Sequence, residues 1–506
     1  MPTERTVHDR VSLGMRLAYG FGSISEGVKN TAFNTFLLFY YNVVLGLSGT
    51  LSGAAILLAL LVDAVTDPLV GSLSDNLHSR WGRRHPFMYA SALPMGVSFW
   101  LLFNPPQGLG STGLFVWFVT FAVLVRIAMA LYSIPSNSMV AELTPSYDER
   151  TSLVSWRFFF GWAGGITIAQ VGYRIFFASR PDFSDGRLDA AAYGGFALVC
   201  AIAIVLAILL CSLGTQRLIP GLKAPPDPTP FTLKRLLGEM REVFGNHSYL
   251  MLVFGSLFAS VAGGFGDVVG LYMGTYFWGF SSEQIATMGL FLVIALLGAV
   301  GLARPVSQAF DKRRAAILLA TFAILFGPLP IFLRLLDLMP PNGHPALMRL
   351  LICHSVVLVT AVIILGILLS SMIADVIDEN ELVTGKRQEG MFSSVIAFTS
   401  KATSGVGGFL AGIALDVIAF PTQAAPGTVG EDKLFLLGLA VGPCMIVLFL
   451  LSLVFLRRYR ITRARYAEIL EEIERRKRTA VGGLAVSELV EPLEATDHQR
   501  RPARLR

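Results

Sequence analysis

Two carboxylates, Asp63 and Asp67, interrupt an apolar run that begins at Leu51 and is long enough to enter a bilayer. At helical spacing they are i and i+4, one turn apart on one face. A carboxylate at the centre of a membrane helix costs about 2.5–3.5 kcal/mol on insertion scales, so two on one face require a function or a partner. Hard oxygens stacked this way suit Na⁺, or can carry H⁺. The alternative is that one of them pairs with a basic residue on a neighbouring helix. Pro68 follows at once and leaves the Ala64 carbonyl without its helical donor. The run ends in a basic turn that carries Arg80, Arg83 and Arg84.

Further polar residues fall inside apolar segments. Glu26 and Lys29, at i and i+3, are placed to neutralise each other, and Asn30 and Asn34 share a face that either lines a cavity or pairs structurally. Arg126 lies upstream of Ser133 and Asn137, which are i and i+4 around Pro135 and suit hydrogen bonding to a solute or between helices. Arg157 either snorkels to the interface or pairs inward. Asp267, flanked by Gly263, Gly264, Gly266 and Gly270, suits a moving gate. Asp375 and Asp378 either meet the basic turns, Arg83 and Arg84 among them, when one end closes, or form a solvated helix end. Lys401, alone among Ser, Thr and Gly, needs a partner, and the Asp63/Asp67 pair is the expected one. His354 reads as packed core. The seven histidines are scattered and no nucleophile–base or metal-ligand spacing is present, which argues against an enzyme and against a cofactor beyond a coupling ion.

The elements that must position these residues follow from composition. With 506 residues, 54% hydrophobic and only 15% charged, the chain reads as a polytopic membrane protein. Its net charge of +6 resides mostly in loops and the tail, where membrane topology accounts for it without nucleic acid. The four cysteines lie in apolar runs and read as small hydrophobes. No cleavable signal pattern precedes the first segment. Twelve apolar segments are expected, near 17–44, 50–74, 87–104, 113–142, 153–178, 192–213, 247–278, 284–303, 315–337, 349–377, 390–420 and 433–456. They fall into an N-terminal bundle (17–213) and a C-terminal bundle (247–456), joined by a Pro-rich linker (214–246). A short N-terminus (1–16) and a solvated tail (457–506), helical in pattern to about Arg478, flank them. Arg150, Lys312 to Arg314, Lys386 and Arg387 join the 80–84 turn on one side, so both termini are expected in the cytoplasm of an inner-membrane protein. Phe21-Gly-Ser with Gly46 is echoed at the same interval by Phe254-Gly-Ser with Gly279, a weak six-plus-six repeat.

These residues resemble those of the glycoside–pentoside–hexuronide:cation symporters, of which the melibiose permease is the best-known member. The match rests on Tyr19-Gly-Phe-Gly22, Asp63-x-x-x-Asp67-Pro68, Arg80-Trp-Gly82, Ile134-Pro135, Arg157-Phe-Phe159, Ala374-Asp-Val-Ile-Asp378 and Lys401, in that order. The resemblance implies an all-α membrane protein of the major facilitator fold, with Na⁺, H⁺ or Li⁺ coupled through Asp63 and Asp67 and Lys401 close by. It also marks departures. The two carboxylates that anchor the sugar in the melibiose permease match Gly27 and Ser133 here, and the stacking Trp matches Asn137. The sodium-dependent lysophosphatidylcholine symporters are similar at the helix-two carboxylates, the helix-five Arg and the helix-eleven Lys. The expected partner is therefore a sugar or glycoside, held by Asn30, Asn34, Ser133, Asn137 and Arg157, or else a lysolipid. The protein is read as a monomer in the lipid bilayer.

Overall fold

The computed structural model describes residues 12–77, 79–144, 147–181, 185–217, 245–384 and 405–476. Twelve helical segments follow one another among them. They are α1 (13–44), α2 (Gly49–Asn76), α3 (His85–Leu102), α4 (Ser111–Leu143), α5 (Tyr147–Val171, continued by Gly172–Phe176) and α6 (Ala190–Gln216), then α7 (His247–Tyr272, continued by Met273–Phe277) and α8 (Ser282–Phe310). The last four are α9 (Lys312–Phe326 and, past a Gly-Pro break, Leu329–Leu335), α10 (Pro345–Thr384), α11 (Gly405–Val417 as described) and α12 (Glu431–Arg457). Eight of the described helices (α2, α4, α6, α7, α8, α9, α10 and α12) are long and apolar enough to cross a membrane. Several start where a short polar side chain caps free amides: Ser48 on α2, Asp189 on α6, Asn246 on α7, and a Ser281–Gln284 capping box on α8.

The helices pack as two groups. In the first, α1 lies on α5 and α6, α4 on α2 and α3, and α3 on α6; in the second, α7 lies on α12, and α10 on α8 and α9. The weak sequence repeat has a structural counterpart. Both α1 and α7 end in a wide π-turn, Tyr40–Val44 and Met273–Phe277, and each chain then reverses at a glycine with positive φ, Gly46 at 81° and Gly279 at 63°. Even the closing bonds correspond. Leu45 and Leu47 donate to the carbonyls of Tyr40 and Tyr41, and Trp278 and Phe280 to those of Met273 and Gly274.

Among the described residues, the hydrogen bonds between the two groups fall at one end. Tyr272 Oη donates to Asn42 Oδ1 (3.0 Å), Gln423 N–H to the Val43 carbonyl (2.9 Å), Gln170 Nε2 to the Ala286 carbonyl (2.8 Å) and buried Arg187 to the Phe280 carbonyl (2.8 Å). Asp416 at the end of α11 accepts from the Gly49 and Thr50 amides (2.8 and 2.7 Å), the free N–H groups that open α2. Glycines make this α2–α11 seam possible. A Cβ on Gly412 would overlap the Gly49 carbonyl, and one on Gly53 would lie 2.7 Å from the Phe409 Cα. Because both Asp416 oxygens hold this seam, Asp416→Ala should loosen that end. In a background without the native cysteines, labelling of a cysteine at Thr275 by a membrane-impermeant maleimide should rise several-fold, while unchanged labelling would show that the other bonds suffice.

The solvated tail expected after residue 457 is corrected over its described part. Residues 463–476 form a helix, α13, whose Ile469 and Ile473 are buried. Tyr466 Oη donates to Asp378 Oδ2 (2.8 Å), Arg463 binds the Ser307 and Gln308 carbonyls, and Arg476 binds that of Leu382 (2.7 Å). A charge-rich pattern concealed an apolar stripe that docks on the ends of α8 and α10.

Candidate transport site

Asp63 lies on α2 about 21 Å from the capped Gly49 end, by the rise of a helix. It does not stand open. Arg126 of α4 places Nη1 2.6 Å from Asp63 Oδ2, and the two side chains are only 3% and 8% exposed. The Arg126 guanidinium also sits over the Phe33 ring of α1 (5.7 Å), which binds three helices through one cation. One carboxylate therefore has the neighbouring basic partner that was the alternative reading of the pair. Arg126 is the residue whose role sequence reasoning missed. The signal was an arginine deep in an apolar segment, which must pair. Asp67 is partly exposed one turn further along α2.

A second cluster joins α1, α4 and α5. Arg157 donates from Nη2 to Glu26 Oε1 (3.1 Å) and from Nη1 to Tyr19 Oη (2.9 Å) and Ser136 Oγ (3.3 Å). Tyr19 Oη in turn donates a hydrogen bond to the Ser136 carbonyl (2.7 Å). Arg157 thus pairs inward. The expected Glu26–Lys29 pair is corrected: Glu26 faces Arg157, and Lys29 lies over the Phe33 ring at 5.7 Å. The local cause is close approach of α1 to α5, where Gly27 abuts the backbone of Gly161. With the helices that near, Glu26 reaches one arm of a buried guanidinium whose other arm is held by Tyr19 and Ser136.

The other proposed substrate residues divide by exposure. Asn30 and Asn137 are exposed, Asn34 is half-buried and Ser133 is buried. Asp267 is exposed. A Cβ on Gly263 or Gly270, which share its face of α7, would meet nothing within 4 Å. That face borders open space. Lys401 lies outside the described residues, as do Lys386 and Arg387. The nearest described part of α11, Gly405, presses against Leu60, three residues before Asp63.

The closure residues bond within their own groups. Arg84 donates to the Pro135 carbonyl (3.4 Å), Lys312 Nζ to both oxygens of Asp375 (2.7 and 2.9 Å), and Asp378 accepts from Tyr466. Arg83 is partly exposed in the turn before α3. Asp375 thus meets one of the basic turns, through Lys312 of its own group. His354 stacks on Phe326 and hydrogen-bonds its carbonyl (2.8 Å), in keeping with packing. Among the described residues no group of three or more His, Cys, Asp or Glu could hold a metal ion.

The chain is an all-helical membrane protein, and its likeness to solved transporters gives it the major facilitator fold. Residues 18–463 match the model of the MFS/sugar transport protein family, and the chain belongs to it, as the resemblance to glycoside–pentoside–hexuronide:cation symporters implied. It is a multi-pass transporter and not an enzyme. Similar relatives include an uncharacterized symporter of Synechocystis sp., 23% identical over 93% of this chain and 98% of that protein. Another is a putative glycoside/cation symporter of Escherichia coli K12, 24% identical over 93% and 95%. Among solved structures, a nucleoside transporter (its D323A mutant) has a TM-score of 0.61 at 13% identity, over 89% of this chain and 100% of that one, a likeness of fold.

Proposed function

We propose that the protein couples a cation, Na⁺ or H⁺, to movement of a small polar solute, a sugar or glycoside, by alternating access. The observation that carries this reading is the carboxylate pair of α2, Asp63 buried and Asp67 half-buried one turn further on, in a chain whose Asn30 and Asn137 are exposed. Exposed amides of this kind offer hydrogen-bond partners to a polyhydroxylated solute. The relative named as a putative glycoside/cation symporter supports the same substrate class. Asp63 and Asp67 bind the cation in this reading. Lys401, four residues before the glycine that meets Leu60, is its neighbour, and Asn30, Asn34, Ser133, Asn137 and Arg157 shape the solute site. Cation and solute then raise each other's affinity by the same factor.

The interlocked end, 42–50 with 416–423, lies opposite the basic turns 80–84 and 312–314. If those turns face the cytoplasm of an inner-membrane protein, as the positive-inside rule directs, this is an inward-facing state. Closure at the other end would draw Arg83 and Arg84 toward Asp375 and Asp378 and move the Asp267 face of α7.

Asp67→Asn tests the cation assignment. Cation-driven accumulation of solute in vesicles should vanish while the protein remains in the membrane; coupled uptake at the wild-type level would refute it. Thermal shift of purified protein with glycosides and with lysophosphatidylcholine, each with and without Na⁺, tests the substrate. Stabilisation by a glycoside is expected, and stabilisation by the lysolipid alone would replace the sugar with a lipid.

A further inference from the structure

Arg126 has no part in the reading above, yet it holds the best-buried ion pair of that site. We propose that Arg126 is a tethered counter-ion that takes the place of the coupling Na⁺ at Asp63 and so drives cation release from the inward-facing state. The inference rests on the assignment of Asp63 and Asp67 as the cation pair.

The physical argument begins with what release leaves behind. When Na⁺ departs, two carboxylates remain one turn apart in a region poor in water, and like charges at that spacing repel. A neighbouring fixed cation removes the penalty. The guanidinium stays charged at any pH the cell meets, and it is more weakly hydrated than an ammonium, which suits a buried position. Arg126 meets these needs: its Nη1 lies 2.6 Å from Asp63 Oδ2, and its guanidinium carbon sits over the Phe33 ring. Phe33 belongs to α1, Asp63 to α2 and Arg126 to α4, so the pair also registers three helices of one bundle.

The conformation supports the same reading. Among the described residues the bundles interlock at the Gly49 end of α2, about 21 Å from Asp63, and in the proposed exchange the ion leaves toward the other end. In this state Asp63 is already neutralised by Arg126. Na⁺ and Arg126 therefore compete for the same oxygen, and the protein supplies its own displacing cation. A purely structural pair makes the opposite forecast. There, loss of Arg126 would leave the α2 carboxylates misplaced, and Na⁺ would bind more weakly.

The test is equilibrium binding and dissociation of ²²Na⁺ on the purified full chain, with no solute needed. Arg126→Gln should bind Na⁺ at least several-fold more tightly than wild type and release it correspondingly more slowly. Arg126→Lys keeps the charge on a shorter, more hydrated group, so its affinity should fall between the two. Unchanged or weaker Na⁺ binding in Arg126→Gln, with the wild-type melting temperature retained, overturns the proposal. If Arg126→Gln does not fold, the Lys variant decides: tighter binding supports competition, and equal or weaker binding overturns it. Wild-type protein that binds no Na⁺ overturns the cation assignment itself, and this inference with it. Wild-type binding without tightening in the variants overturns only the role of Arg126.

Discussion

Gly27→Asp is expected to yield almost no folded transporter, although it restores the carboxylate found at the matching position of the melibiose permease. Any Cβ at residue 27 would overlap the Gly161 carbonyl oxygen, and Gly165 N lies 3.0 Å from the same point. Both obstacles are backbone, so no rotamer relieves them. Overpacking with a movable neighbour costs about 1–3 kcal/mol, and a backbone obstacle belongs at or above the top of that range. The helices would have to part, and the Arg157–Glu26 and Arg157–Tyr19 bonds span that same seam. Gly27→Ala should already show the effect, as a lower melting temperature and less monodisperse protein in detergent. Normal yield and melting of Gly27→Asp would mean that α1 and α5 can separate freely. Glycine at this position is thus what lets α1 and α5 come together.

Arg157→Met should abolish transport and lower stability together. The side chain bonds three groups on α1 and α4, and its removal strands Glu26 beside a hydroxyl and a carbonyl. Breaking a buried pair from one side costs about 3–5 kcal/mol, and the 30% exposure of Glu26 moderates that toward the lower figure. The cost comes mainly from the unpaired carboxylate. The double variant Glu26→Gln/Arg157→Met should therefore recover much of the lost melting temperature while transport stays absent. Additive losses in the double variant would show that the guanidinium acts through packing and not through Glu26. Arg157→Lys should fail too, since an ammonium cannot divide its donors among Glu26, Tyr19 and Ser136 in a planar fork.

Both forecasts concern residues whose importance is visible in the sequence but whose partners are not. Hydropathy alone marked the chain as a run of long apolar helices, because a bilayer demands such helices whatever they pack against. The α2 carboxylates, Arg157 and the Gly46/Gly279 repeat were legible for a related reason: charge inside an apolar run, or glycine at a fixed interval, is unusual by type and spacing. Pairing was another matter. Glu26 lies three residues from Lys29 yet bonds Arg157, 131 positions away, and Asp63 bonds Arg126, 63 positions away. Local spacing says which groups can meet on one helix. Which helix comes near enough to offer a better partner depends on small residues at the seams, Gly27 with Gly161 and Gly49 with Gly412, and on the end at which the two bundles lock. The docked tail follows the same logic: its stripe of Tyr466, Ile469 and Ile473 acquires meaning only when the ends of α8 and α10 stand beside it. Sequence determined what this chain must bury; the tertiary structure decided against what.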